Sequence, residues 1–274
     1  MSLFAIDRDK CKRDGICVAV CPGGVIEIKE PEAFPSLVEG GEELCINCGH
    51  CVAVCPHEAF RLRAMAPEDC APVKKELLPA PEQVEHLLRS RRSVRSYNQK
   101  PVPREILGRL IDIARYAPSG HNDQPTHWIV VEDAKELERL KVMTVDWMRS
   151  VIKEWPETEV TIILDSFVNS WERGEDRILR GAPHVIIGHA SKSALSPQVD
   201  CSTALTYLEL AAHSLGLGAC WAGALQAAAA SHPPIIEALQ IPEGHQCFGA
   251  MMVGYPRHEF RRIPLRNIPQ TLWL

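Results

Sequence analysis

The sequence has few aromatic residues, no excess of positive charge and no apolar run of membrane-spanning length. Aromatic residues make up 6% of the 274 residues, and the formal net charge is −5 at pH 7. A net negative chain creates no global field that attracts nucleic acid or anionic lipid, so we expect neither as a partner. The apolar stretch at 204–217 is too short and too interrupted to cross a bilayer. Charged residues fill positions 7–10, where a signal peptide needs an apolar core, so we expect a cytoplasmic protein.

Cysteine is scarce over most of the chain but concentrated near its beginning. Seven of the eleven cysteines lie between positions 11 and 55. Clustered cysteines in a cytosolic protein more often bind metal than form disulfides. The remaining four cysteines are isolated in the sequence, and we interpret them as small buried residues that do not bind metal. The clustered set is Cys11, Cys17, Cys21, Cys45, Cys48, Cys51 and Cys55.

The cysteine-rich segment contains an internal duplication. Cys17-Val-Ala-Val-Cys21-Pro22 recurs as Cys51-Val-Ala-Val-Cys55-Pro56, and a short apolar segment follows each copy. Such a repeat indicates a small metal-binding unit present twice. We therefore predict an iron–sulfur domain at 1–63, a proline-rich linker without regular elements at 64–81, and a larger domain at 82–274.

The second copy has the spacing of a bacterial ferredoxin half, Cys-x2-Cys-x2-Cys-x3-Cys-Pro. Zinc sites more often use separated Cys-x2-Cys pairs, so the run favours iron–sulfur clusters. In such ferredoxins the fourth cysteine of each run reaches the other cluster. This rule predicts one [4Fe–4S] cluster on Cys45, Cys48, Cys51 and Cys21.

The first copy departs from the pattern at one ligand. Cys11, Cys17 and Cys55 would hold the other cluster, but Asp14 stands where a further cysteine is expected. Asp14 could bind the fourth iron through oxygen, or that iron could be absent, which would leave [3Fe–4S] in place of [4Fe–4S]. Oxygen is a harder ligand than sulfur and would hold that iron less tightly. The first 60 or so residues resemble the two-cluster bacterial ferredoxin fold.

The larger domain mixes helical and strand patterns. Apolar residues recur at helical spacing in several segments, and short apolar runs alternate with them. The predicted helices are 82–89, 105–116, 135–155 and 201–215. The predicted strands are 127–131, 184–188, 217–221 and 248–253.

Two motifs of the larger domain occur together. The arginine-rich segment Arg91-Arg92-Ser93-Val94-Arg95 offers guanidinium and hydroxyl donors that suit a phosphate group. About 20 residues later comes Ala117-Pro-Ser-Gly-His-Asn-Asp-Gln-Pro125, a polar loop that leads into a strand. Together with Gly181-Ala-Pro, Leu215-Gly-Leu-Gly and Val253-Gly-Tyr-Pro, these motifs resemble the FMN-dependent nitroreductase family, and the whole chain resembles its ferredoxin–nitroreductase fusion branch.

The resemblance implies an α+β protein, in which a small two-cluster ferredoxin-like domain precedes an α/β/α nitroreductase-like domain. It also implies a homodimer with FMN at the subunit interface. The implied phosphate and ribityl ligands are Arg91, Arg92, Ser93 and Arg95, completed by either Arg262 or Arg266. The implied neighbours of the isoalloxazine are Pro118, Ser119, Gly120 and Asn122 on one side, and Ala222 and Gly223 on the other.

The expected reaction follows from the two cofactors. Clusters carry single electrons and FMN can deliver a hydride, so the flavin converts one kind of transfer into the other. We expect an external donor such as ferredoxin or flavodoxin, and a small electrophilic substrate of the nitro, quinone or enone type. Two alternatives stay open: a redox relay or sensor that passes electrons to a protein partner, and a divergent flavin-dependent reaction. No catalytic side chain is predicted, because FMN carries the chemistry.

Overall fold

The structure is a computed structural model that describes residues 2–63 and 65–274. Met1 and Ala64, the first positions of the predicted iron–sulfur domain and linker, lie outside the described residues. Contacts between Cα atoms divide the chain into two compact units. The first runs to Leu78 and includes His121–Asp123; the second comprises Pro79–Gly120 and Gln124–Leu274.

The first unit is built from two short antiparallel strand pairs and three short helices. Strand β1 pairs with β4, and β2 pairs with β3. Leu3, Val25, Ile26 and Phe60 are buried between these elements and form a small core. The strands are β1 (Phe4–Ile6), β2 (Ile26–Glu27), β3 (Ser36–Leu37) and β4 (Phe60–Leu62). The helices are α1 (Ile16–Ala19), α2 (Gly41–Leu44) and α3 (His50–Val54).

The prediction that 64–81 lacks regular elements is wrong in part. Single 3-10 turns occupy Pro67–Asp69 and Lys75–Leu77, and helix α4 (Pro81–Ser90) begins within the predicted linker. Proline at a first helical position lacks only an N–H that would be unpaired there anyway. The prolines at 67 and 81 therefore begin these elements rather than prevent them.

The second unit contains a four-stranded antiparallel sheet in the order β5-β6-β8-β7. Strand β6 is buried on both faces, with Val185 and Ile187 in one apolar cluster and Ile186 in the other. The predicted strand at 127–131 is confirmed at both ends. Strand β6 runs past its predicted end because Gly188 marks a register shift and not a stop. The strands are β5 (His127–Val131), β6 (His184–Ser191), β7 (Gly218–Trp221) and β8 (His245–Gly254).

Seven helices complete the described part of this unit. The four predicted helices are present, whereas α7, α9 and α10 were not predicted. Asp133 caps α6 by accepting from the N–H groups of Lys135 and Glu136. No described helix combines the length and the apolar character that crossing a bilayer requires. The helices are α4 (Pro81–Ser90), α5 (Arg104–Ala114), α6 (Ala134–Glu154), α7 (Glu159–Glu172), α8 (Pro197–Ser214), α9 (Gly223–Ser231) and α10 (Pro233–Ala238).

Candidate functional site

The first unit gathers four thiols around one pocket, which we call the four-thiol pocket. Cys21 from one copy of the repeat lines it together with Cys45, Cys48 and Cys51 from the other. Burial raises the pKa of the Cys51 thiol to about 12. A bound cation would have to supply the charge that makes this group a thiolate.

A second pocket, the three-thiol pocket, collects the complementary set. Cys11, Cys17 and Cys55 line it, together with Asp14 and His57. Burial also raises the pKa of Cys17. The structure thus brings together the residues that the sequence assigns to each cluster. Cys21 of the first copy lies with the cysteines of the second, and Cys55 of the second copy lies with those of the first.

The donor chemistry of both pockets fits iron–sulfur clusters better than a single ion. In residues 2–63 and 65–274, no three His, Cys, Asp or Glu side chains are arranged to hold one metal ion. A cubane places each thiolate on a different iron, so its ligands surround a volume and do not converge on one point. Backbone N–H groups already point at two of the sulfurs: Val25 to Cys21 and Ala59 to Cys55, each at 3.4 Å.

In the second unit, the arginine-rich segment lies along strand β7. Ser93 forms a parallel bridge with Ala219, and the N–H of Val94 donates to the Ala219 carbonyl at 3.0 Å. The Val94 side chain fills the space beside Gly218, where an added Cβ would lie 2.5 Å away. Only glycine at 218 lets the segment approach the strand this closely.

One predicted phosphate ligand already has a partner. The guanidinium group of Arg91 donates to Oε1 of Glu209 at 2.7 Å, and Glu209 is only 7% exposed. Arg92 is half-buried and Arg95 is exposed. Sequence reasoning missed Glu209, although a carboxylate inside an otherwise apolar helix is a visible signal.

Arg180, which sequence reasoning also missed, adds positive charge beside the arginine-rich segment. Burial raises the pKa of Cys220, and the nearby guanidinium groups of Arg95 and Arg180 oppose that rise. The same two arginines act on buried Tyr97. Arg180 is brought here by the fold, and its spacing in the sequence carried no sign of it.

The predicted ring-binding loop is held by side chains. The hydroxyl of Ser119 accepts from the N–H of Gln124 at 3.0 Å, and the N–H of Gly120 donates to Oδ1 of Asp200 at 3.0 Å. Asn122 has a left-handed φ of 56°. Pro118, Ser119 and Asp200 line one pocket.

The buried carboxylate of Asp200 indicates that a ligand or partner group binds beside the 118–120 loop. It is 3% exposed, and its Oδ2 has no hydrogen-bond partner among the described residues. An unpaired buried carboxylate oxygen is costly, so a donor from outside this chain would stabilise it.

The other predicted ring neighbours lie at the start of α9. The N–H of Ala222 donates to Ala250, and the space beside Gly223 is open, since an added Cβ would meet nothing within 4 Å. Arg262 and Arg266 are both exposed in the tail at 257–274, which has neither helix nor strand. The structure favours neither of these two arginines.

Comparison with known proteins assigns a family to each part of the chain. The nitroreductase family model matches residues 88–255, and a 4Fe-4S dicluster domain matches residues 9–62. A relative from Methanothermobacter thermautotrophicus, provisionally named an NADH dehydrogenase/NAD(P)H nitroreductase, is 31% identical over 62% of this chain and 75% of its own length. Iodotyrosine deiodinase of Thermotoga neapolitana is 30% identical over 48% and 69%.

The fold comparison points the same way. A nitroreductase with bound FMN from Bacteroides fragilis matches 69% of this chain and 98% of its own, with a TM-score of 0.57 and 24% identity. The protein is an FMN-dependent oxidoreductase with an iron–sulfur domain. It belongs to the nitroreductase family, in the form in which a dicluster ferredoxin domain precedes the nitroreductase domain.

Proposed function

We propose that this enzyme takes single electrons from an external ferredoxin or flavodoxin through two clusters and uses FMN to reduce a small nitro, quinone or enone compound. The observation that carries the proposal is the pair of thiol pockets in the same chain as an FMN-type fold. Clusters carry single electrons and flavin accepts them, so two clusters in the same chain favour a one-electron donor over direct reduction by a nicotinamide.

The proposed cluster ligands follow the two pockets. Cys21, Cys45, Cys48 and Cys51 hold a [4Fe–4S] cluster. Cys11, Cys17 and Cys55 hold the other, with Asp14 at the remaining position of a [4Fe–4S] or [3Fe–4S] core.

The proposed FMN ligands lie at the two edge strands of the sheet. Arg91, Ser93 and Arg95 bind the phosphate and ribityl chain, together with Arg92 and a tail arginine. When bound, FMN supplies both one-electron and hydride chemistry. The chain's own part is to fix the phosphate, shield the ring between the 118–120 loop and Ala222–Gly223, and leave one ring face open to a substrate.

We propose that the ring site is shared by two copies of the chain. The loop at 118–120 leads into β5, whereas Ala222 and Gly223 directly follow β7, and β6 and β8 separate these two strands. With strands about 4.8 Å apart, the two edges are about 14 Å apart. The walls of a sandwiched ring stand only about 7 Å apart, given van der Waals contacts of about 3.5 Å.

The tail at 257–274 supports the same homodimer. Its large apolar side chains are exposed, with Leu265 at 97% and Trp273 at 89%. Such a patch indicates a surface that another chain covers. Deleting 257–274 should produce monomers in light-scattering measurements and reduce FMN retention; a truncated chain that stays dimeric would contradict this role of the tail.

The electron route can be tested by anaerobic stopped-flow reduction. We expect reduced ferredoxin to bleach the flavin much faster than NADPH does. Cys48→Ser, in the four-thiol pocket, should abolish ferredoxin-driven bleaching. Cys70→Ser should behave like wild type, because Cys70 is exposed, contrary to the expectation that the isolated cysteines are buried. Wild-type rates in Cys48→Ser, or faster reduction by NADPH, would overturn the proposed route.

A second reaction is favoured by the deiodinase relative. Reductive removal of iodide from an iodophenol consumes two electrons and one proton, and the same flavin could supply the electrons. Iodide release from 3-iodotyrosine under reducing conditions would support it.

The expected cytoplasmic location stays a prediction.

A further inference from the structure

Three histidines of the second unit lie together on one face of its sheet. His127 is the first residue of β5 and His245 is the first of β8, while His189 lies near the end of β6. Because these strands are antiparallel, all three positions lie at the same end of the sheet. His127 is directly opposite His189, and His245 is opposite Ser191, whose side chain is on the same face as that of His189. We call these residues the three-histidine cluster.

The three imidazole rings form a nearly equilateral triangle. Their centroids are 5.4 Å apart for His127 and His189, 5.1 Å for His127 and His245, and 5.2 Å for His189 and His245. The Nδ1 atoms of His189 and His245 are 3.1 Å apart. Two imidazole lone pairs do not face each other at this distance without a cation between them, so either a proton or a metal ion joins the two nitrogen atoms.

The distances are those of three imidazoles on one tetrahedral metal ion. With metal–nitrogen bonds of about 2.0–2.1 Å, tetrahedral angles place the ligand nitrogens about 3.3 Å apart and the ring centroids about 5.2 Å apart. A hydrogen bond between His189 and His245 explains the short contact of that pair alone. It does not require a third imidazole at the same distance from both rings, whereas a metal ion does.

The cluster is buried on one side and open on the other. His189 is 5% exposed, His245 is half-buried and His127 is exposed. As the side chains of residues 2–63 and 65–274 stand, no three of them converge on one ion, so the His127 ring has to turn to become a ligand. Rotation about its Cβ–Cγ bond moves the ring nitrogens and leaves the ring centre nearly in place, and an exposed imidazole is free to make it.

We propose that the three-histidine cluster binds one Zn²⁺ ion through Nδ1 of His189, Nδ1 of His245 and a ring nitrogen of His127. Imidazole is a common zinc ligand, and three protein ligands leave a fourth position for water. The ion replaces the proton between the two Nδ1 atoms, and the ring that carried this proton takes it on Nε2 instead. Both imidazoles stay neutral, and water leaves the hydrated ion.

The ion would connect β5, β6 and β8 at one end of the sheet. This site uses no thiol and no flavin contact, so it is independent of the proposed electron route. Because the three ligands come together only when the strands pair, the ion binds the folded state and should stabilise it.

The first test identifies the atoms that bind zinc. The full-length protein with its cofactors is dialysed against Zn²⁺ and analysed by zinc K-edge X-ray absorption. We expect one zinc per chain with nitrogen neighbours at about 2.0–2.1 Å, and an unchanged iron content. Zinc with sulfur neighbours at about 2.3 Å and a loss of iron would place the ion in the thiol pockets and overturn the proposal.

The second test compares histidine variants by equilibrium dialysis. His245→Gln and His127→Gln each remove a ligand, and each should weaken Zn²⁺ binding by more than the roughly 10–100-fold that is typical of a group that only orients a ligand. His86→Gln is the matched control, since His86 is exposed on α4, and it should keep the wild-type affinity. Unchanged affinity in either ligand variant would contradict the three-ligand site.

Thermal unfolding keeps the proposal testable if His245→Gln does not fold. His127 is exposed, so its substitution should leave the metal-free protein as stable as wild type. Zn²⁺ should raise the melting temperature of wild type and of His86→Gln, and should have little effect on His127→Gln. An equal rise in all three proteins would show that the stabilising ion binds elsewhere.

Discussion

The guanidinium group of Arg91 and the carboxylate of Glu209 form a 2.7 Å hydrogen-bonded ion pair between the end of α4 and the middle of α8. Glu209 is nearly buried among apolar neighbours of α8, whereas Arg91 is partly exposed. The pair neutralises the Glu209 carboxylate, so this side chain does not offset the positive charge of Arg95 and Arg180 near β7.

Removing one partner of this pair should cost more than removing both. Arg91→Ala leaves the Glu209 carboxylate buried and unpaired, and we expect it to destabilise the second unit by about 2–3 kcal/mol. Arg91→Ala combined with Glu209→Leu should recover much of that loss. Denaturant unfolding followed by circular dichroism measures both; a double variant that is less stable than the single one would contradict the argument.

The phosphate site can be separated from the ring site by comparing FMN with riboflavin. Arg95→Ala should weaken FMN binding about 10–100-fold, as expected for the loss of a charge-assisted hydrogen bond, and leave riboflavin binding unchanged. Arg139→Ala is a suitable control, because Arg139 lies on α6 and pairs with Glu136 at the surface. Equal losses for FMN and riboflavin would place Arg95 elsewhere than at the phosphate.

The contact of Val94 with Gly218 predicts a steric effect. Gly218→Ala would put a Cβ 2.5 Å from Val94 and should destabilise the protein by about 1–3 kcal/mol. Gly108→Ala, in the open middle of α5, should stabilise it by about 0.5–1 kcal/mol. Adding Val94→Ala should relieve the first effect; thermal unfolding that shows no such rescue would argue against the clash.

Stability should fall in acid because of a buried histidine. Burial, with charge repulsion from His127 and His245, lowers the pKa of His189 to about 4, below its unfolded value of 6.5. The folded state therefore binds fewer protons than the unfolded state, and stability is lost as pH falls from about 6.5 towards 4. Across pH 7.5 to 5 we expect a loss of about 1–2 kcal/mol that His189→Gln reduces and the exposed His86→Gln does not.

Sequence patterns predicted those helices and strands whose ends are set by neighbouring residues in the chain. The strand at 127–131 was found because its apolar run ends at polar residues on both sides. Helix α7 was missed because Val160, Ile162 and Ile163 are exposed, which hides its amphipathic period. Its start is fixed instead by the reciprocal bonds of Thr158 and Thr161.

The candidate sites divide in the same way. The cysteine groups were predictable because a known spacing rule connects distant residues in a repeat. Glu209 and Arg180 were not, because their proximity to the arginine segment arises from long-range packing. Asp200 was missed for the same reason, since its bond to Gly120 joins positions 80 residues apart.

The proposed half-sites, one beside β5 and one beside β7, have a genetic consequence. If each flavin is enclosed by one edge from either chain, an inactive Arg95 variant and an inactive Ser119 variant are not equivalent faults. Produced together in one cell, they would form mixed pairs in which one flavin site carries both defects and the other carries none. Each mixed dimer would then have half the activity of a wild-type dimer, whereas either variant produced alone would be inactive.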